Sequence, residues 1–213
     1  MGSVQTDPNF IFSILFGITK SIVGIGHADL YFKGLDEVTR NARVEVHRAC
    51  DLLPRKFDKF TKYFTHVDLG LEAEIIKHSG RAEKFKNFIE LEVIPFIDRS
   101  YRTKPERTLI GHSFGGVFTS WIALNHPKIF QNYLVISPIF HYEDGKIFEE
   151  ISNFEKIIPI KIYLSAGGCE NFHPDFLSNL KRFRDEISSL PSVTTKLEIF
   201  EGEYHCSTLP MAV

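Results

Sequence analysis

Five residues constrain this chain more than any other stretch: Gly111-His112-Ser113-Phe114-Gly115, a G-x-S-x-G. Their surroundings carry as much weight as the pattern. Thr108, Leu109 and Ile110 before them read as a short buried strand, and Val117, Phe118, Trp121 and Ile122 after them recur at helical spacing. The serine therefore falls where a strand turns abruptly into a helix, the setting a nucleophile elbow requires. Such a turn is expected to strain Ser113 and lift its hydroxyl above the sheet edge. Gly111 and Gly115 are expected to remove side chains that would collide in the turn, and Gly116 to let the helix approach the strand. The helix would also aim its first amides at a point where negative charge can develop.

A chain of 213 residues, 43% of them hydrophobic, is long enough to bury a large core, and it is expected to form one domain over residues 1–213. A net charge of −2 gives no basic footprint for nucleic acid. Three scattered cysteines (Cys50, Cys169, Cys206) argue against a disulfide framework and suit a reducing, cytoplasmic setting. No cleavable signal peptide is evident. The most apolar window, Phe10 to Gly26, is interrupted by Ser13, Lys20 and Ser21 and is short for a membrane span, so no membrane partner is expected.

Taken in order, Asn9 is expected to cap a helix from Phe10 towards Thr19, and Ser21 to Gly26 to form a buried strand of the parallel type. His27 to Phe60 shows no sustained period and reads as a long loop with short helical pieces. Leu69 to Gly80 reads as a short amphipathic turn or helix. Ala82 to Arg99 places Phe85, Phe88, Ile89, Val93, Phe96 and Ile97 on one face, a helix that Pro95 should bend. Further strands are expected at Tyr133–Ser137, Ile160–Ser165 and Lys196–Phe200, with a helix from Phe176 to Leu190 between the last two. Strands alternating with helices imply an α/β fold, a mostly parallel sheet with helices on both faces.

A serine hydroxyl attacks well only when a base takes its proton. In the elbow class of folds the partners follow as acid and then histidine, on loops at the carboxyl ends of later strands. His205, just past the last strand, has the right order and place for the base. Glu170, on Ala166-Gly-Gly-Cys-Glu170, is the first candidate for the acid, with Asp175 as a rival and a Ser–His dyad as the third option. His112 is expected to shape the pocket wall beside Ser113. Cys169, Glu170, His173, His205 and Cys206 lack any zinc-type spacing, so neither a metal nor another cofactor is expected.

These residues resemble the family of α/β-hydrolases known as putative esterases, which includes the siderophore (enterobactin- and bacillibactin-type) esterases and esterase D-like enzymes. The similarity runs from about Ile22 onward, through Val23-Gly-Ile-Gly26, Arg48-Ala-Cys-Asp-Leu-Leu-Pro54, Ser79-Gly80 with Phe85, and Tyr101-Arg-Thr103. It continues through Gly111–Gly116, Ser137-Pro138, Gly167-Gly-Cys-Glu170 and His205. The resemblance implies a serine carboxylic-ester hydrolase that forms an acyl-enzyme through Ser113, His205 and Glu170. It also implies an oxyanion donor at the Phe114 amide and a small-molecule ester, of siderophore type or with a small acyl group, as substrate. Arg48 and Asp51 would lie in a loop near the pocket, as substrate contact or as a bracing ion pair. Family members carry further strands upstream and a Leu-Asp-Gly-like turn that supplies a second oxyanion amide. The nearest counterpart here is Thr6-Asp7-Pro8, and proline has no N–H. A sheet lacking N-terminal strands is therefore expected, with an open edge that favours a homo-oligomer. The alternative function is a truncated, non-catalytic binding protein on the same fold.

Overall fold

The computed structural model describes residues 10–16, 21–27, 33–56, 77–141, 145–154, 158–171 and 173–209. Strand β1 (Phe10–Phe16) pairs antiparallel with β2 (Ser21–His27) over the full length of both, from Phe10 against His27 to Phe16 against Ser21. Two expectations are corrected here: Phe10–Phe16 is not helical, and Ser21–Gly26 is not a parallel strand. A continuous apolar run does not distinguish strand from buried helix by its period. The aromatic and β-branched make-up of the run suits a strand, and full-length pairing satisfies its backbone groups. Exposure along β2 alternates, with Ile22 and Gly24 exposed while Val23 and Ile25 pack on the core, as in an antiparallel pair with one wet face.

The expected loop before Pro54 is instead mostly helix α1 (Glu37–Leu52). Asp36 caps it, accepting from the Thr39 N–H at 3.0 Å. That bond lowers the pKa of the Asp36 carboxyl. Val46, Ala49, Cys50 and Leu53 fall at helical spacing and are buried. Leu53 is extended (φ −94°, ψ 130°), the conformation a residue before proline prefers, and the helix stops there.

The helix expected from Ala82 to Arg99 is present as α2 (Ala82–Phe88), a wider π-turn (Ile89–Val93) and α3 (Ile94–Ser100). Pro95 lacks an N–H, and its ring crowds the carbonyl four residues back, at Leu91. The ladder opens within Ile89–Val93, where that clash would fall.

The remaining elements alternate strictly. They are β3 (Thr108–His112), α4 (Phe114–Asn125), β4 (Asn132–Ile136), α5 (Ile147–Ile151), β5 (Ile160–Gly167), α6 (Phe176–Ser188) and β6 (Val193–Phe200). The four strands form a parallel sheet in the order β3-β4-β5-β6, which puts all their carboxyl ends on one rim. Helix α4 packs on β3 and β4, α6 on β5 and β6, and α5 touches both helices. With α1 also against it, α4 is apolar nearly all round and almost wholly buried. Tyr133, Phe140, Phe176 and Phe183 are among the largest fully buried side chains. Truncating one of these phenylalanines to alanine would cost about 3–5 kcal/mol. Among the described residues β3 is an edge of this sheet, and Ile110 on it remains 37% exposed. No described helix is long and apolar enough to cross a membrane. Thr6-Asp7-Pro8 and residues 69–76 lie outside the described residues.

Candidate active site

Ser113 follows β3 directly, with φ 61° and ψ −119°, a conformation that costs a non-glycine residue about 1–3 kcal/mol. The turn is held by main-chain bonds. Ser113 N–H donates to the Ile136 carbonyl at 3.0 Å, and its own carbonyl accepts from Gly116 (2.9 Å) and Val117 (3.2 Å). A Cβ on Gly111 would lie 2.0 Å from the Gly115 carbonyl oxygen and 2.3 Å from Thr119 Oγ1, so glycine is required there. A Cβ on Gly116 would meet Pro138 at 3.0 Å, so this glycine lets α4 approach the end of β4. Gly115 differs from expectation: a Cβ there would meet nothing within 4 Å. Phe114 opens α4, and its amide belongs to the first helical turn, whose N–H groups have no acceptor within the helix.

Two strands away on the same rim, the loop after β5 carries Glu170, which is buried. Three donors converge on its carboxylate. Ser137 Oγ and the Gly167 N–H both reach Oε1 at 2.6 Å, and His205 Nδ1 lies 2.6 Å from Oε2. An ionised carboxylate only accepts, so Nδ1 of His205 carries the proton of that bond, which in a neutral ring leaves the lone pair on Nε2. The loops bearing His205 and Glu170 touch through their backbones. Gly168 N–H donates to the Phe200 carbonyl at 2.9 Å and Cys169 N–H to the Glu203 carbonyl at 3.0 Å. A Cβ on Gly167 would sit 2.2 Å from the Glu203 oxygen, so only glycine permits this approach.

His112, the residue before Ser113, is more than pocket wall. Its Nε2–H donates to the His205 carbonyl at 2.7 Å, and the two rings lie 4.6 Å apart between centroids. Burial lowers the His112 pKa and so favours the neutral ring, in which the carbonyl acceptor fixes the proton on Nε2. Arg48 lies on α1 and not in a loop. Its Nη2 reaches the His112 carbonyl at 3.4 Å while Nη1 pairs with Glu45. Asp51 pairs with Arg81 (2.8 Å), so the bracing pair expected between Arg48 and Asp51 is replaced by two separate ones. Asp175 sits exposed at the start of α6, its N–H donating to His173 Nδ1.

The structure thus brings Glu170, His205 and His112 into direct contact, with Arg48 at their margin. Ser113 joins them through the chain, as the neighbour of His112; among the described residues no hydrogen bond links its hydroxyl to His205. Beyond this group, His141 stacks on His173 (4.2 Å, 7°), and burial together with the nearby His173 and His205 pushes its pKa down to about 4. No described group of three or more His, Cys, Asp or Glu side chains is arranged to hold a metal ion. Sequence reading missed that the Ser137 hydroxyl would bond the Glu170 carboxylate and that Thr208 would lie against it, 2.9 Å from Ser137 Oγ. A serine ending the apolar run Tyr133–Ile136 before Pro138 was the available signal for the first; the second had none.

The model of the Esterase family, described as Putative esterase, matches residues 32–205. The chain belongs to this family. Two curated relatives, both from Bacillus subtilis (strain 168), are similar to this family member. Ferri-bacillibactin esterase BesA is 34% identical over 143 residues, covering 63% of this chain and 50% of that protein. The uncharacterized protein YjcH is 30% identical over 129 residues, covering 56% and 52%. The chain therefore spans about half the length of the curated relatives it matches. Among solved structures, the BES protein from Bacillus cereus superposes with a TM-score of 0.68 at 23% identity, covering 90% of this chain and 68% of that one. Siderophore hydrolase EstB from Aspergillus nidulans gives 0.70 at 19%, covering 90% and 67%. These likenesses establish the α/β-hydrolase fold for this family member.

Proposed function

We propose that the chain is a serine ester hydrolase, with Ser113 as nucleophile, His205 as base and Glu170 as the acid. The observation that carries this is the buried Glu170–His205 contact at 2.6 Å on the same sheet rim as a strained elbow serine. Ser113 Oγ attacks the ester carbonyl carbon and its proton passes to His205 Nε2. Glu170 stabilises the imidazolium without taking the proton. The Phe114 N–H, at the positive end of α4, faces the oxygen that becomes negative. The C–O bond then breaks, the leaving alcohol takes the proton from His205, and an acyl-Ser113 ester remains. Water attacks that ester with His205 again as base, releasing the carboxylic acid and restoring Ser113.

The substrate class we propose is a siderophore-type or small acyl ester; the similarity to BesA, a ferri-bacillibactin esterase, and to EstB, a siderophore hydrolase, supports this choice. His112 lines the site and Arg48 offers a cation beside it. A fluorophosphonate probe should modify Ser113 and no other serine. Aryl esters of graded acyl length and a ferric siderophore trilactone, each run beside Ser113→Ala, identify the ester. Labelling that persists in Ser113→Ala rejects the nucleophile. An unlabelled, inert wild-type protein favours a binding role on the same fold.

A further inference from the structure

The end of β4 repeats the device at the end of β3. Ser137 is the second non-glycine residue with positive φ (46°) among the described residues, and its N–H donates to the Ser165 carbonyl at 2.7 Å. Unlike Ser113, it is fully buried. Its hydroxyl lies 2.6 Å from Glu170 Oε1 and 2.9 Å from Thr208 Oγ1, and Thr208 is equally buried. Proton counting gives this chain a direction. The carboxylate cannot donate, so Ser137 spends its one proton on Glu170. Thr208 must then supply the proton of the Ser137–Thr208 contact, sharing it with the His205 carbonyl at 3.0 Å.

We propose that Ser137 and Thr208 are positioning residues that fix the Glu170 carboxylate in the orientation His205 Nδ1 requires, by tying the acid to the loop that carries the base. The inference rests on the esterase reading for its kinetic consequences, but its geometry stands apart from it. Glu170 Oε1 is taken up by Ser137 and Gly167, which leaves Oε2 for the imidazole alone. Ser137 holds its strained φ of 46° in a buried position, and the hydroxyl so placed reaches Oε1 at 2.6 Å. Bonds to a charged group inside a dry site are the strong ones, and their loss leaves a carboxylate oxygen short of a donor.

The test compares Ser137→Ala with Ser137→Gly. Both remove the hydroxyl, but glycine accepts the positive φ and so separates the hydroxyl from strain and from folding failure. In each, kcat on an aryl ester should fall about 10- to 100-fold with KM within about twofold. The downfield proton NMR resonance of His205 Nδ1–H, a sign of its bond to Glu170, should move upfield or vanish. Thr208→Val should show a weaker version of both effects, and Thr208→Ser should recover most of the wild-type kcat and the resonance. An unchanged resonance with unchanged kcat in Ser137→Gly overturns the proposal, as does a loss in Thr208→Ser equal to that in Thr208→Val. A wild-type protein that hydrolyses no ester, yet loses the resonance in Ser137→Gly, upholds the positioning role while rejecting the esterase reading.

Discussion

Two neighbouring strand ends of one sheet use the same backbone device to opposite ends. After β3 and after β4 a serine with positive φ donates its N–H to a carbonyl near the end of the next strand, Ile136 for Ser113 and Ser165 for Ser137. At the first step Ser113 stays partly exposed, and the partners that would activate it come from other loops. At the second, Ser137 is sealed in and its hydroxyl donates to the Glu170 carboxylate. Strain of the same kind leaves one serine partly exposed and buries the other. The difference lies in what the following segments deliver to each step.

The largest expected effect falls on the exposed step. Ser113→Ala should lower kcat about a millionfold, leaving only the contribution of binding and the oxyanion site. Equal turnover by the variant in a stopped assay would erase the distinction between the two serines. Glu170→Gln should cost less, about 10³- to 10⁴-fold in kcat, because the acid orients the imidazole without reacting. A loss equal to that of His205→Ala would show the ranking of acid and base to be wrong.

Packing separates the two glycines flanking the first step. Gly111→Ala forces a Cβ to within 2.0 Å of the Gly115 carbonyl oxygen and should destabilise the fold by about 3 kcal/mol, read by urea denaturation. Gly115→Ala meets nothing within 4 Å and should change stability by no more than about 0.5 kcal/mol. Equal costs for the two would contradict the geometry of the turn.

The segment that follows Ser137 should be the acid-sensitive one. His141 has its folded pKa pushed from 6.5 to about 4. The unfolded chain therefore binds that proton first, so the stability contributed is full above about 6.5 and drains as pH falls towards 4. The drain amounts to at most about 3 kcal/mol. His141→Gln should flatten the fall in melting temperature between pH 7 and pH 4.5; an identical fall in the variant would remove His141 from the account. The smallest effects compare the serines directly. Ser113→Gly should stabilise by about 1 kcal/mol through relief of strain, whereas Ser137→Gly should lose about 1–2 kcal/mol because buried hydrogen bonds go with the hydroxyl.

Sequence reading reached the elbow because its determinants are local: Gly111, Ser113 and Gly116 hold the geometry within six residues. The meeting of Glu170 with His205 was legible because chain order and strand ends bring the loops that follow β5 and β6 side by side. The Phe10–Phe16 strand was not, since seven apolar-rich residues fit either period and only the partner strand decides. Helix α1 was obscured because its buried stripe uses small residues, Ala49 and Cys50, between charged ones. Ser137 was noticed only as part of a Ser-Pro pair, since nothing in a strand-ending serine tells where its hydroxyl will be spent.

The backbone contact between Gly167–Gly168 and Phe200–Glu203 has a consequence for anyone rebuilding this site on another scaffold. Neither segment is an independent part. Residues 167–170 take their shape from the carbonyls of Phe200 and Glu203, and the turn bearing His205 lies flush against Gly167, where a Cβ would sit 2.2 Å from the Glu203 carbonyl oxygen. The two loops form a single cassette, and a graft that moves the acid without the base carries a sequence whose mould has been left behind.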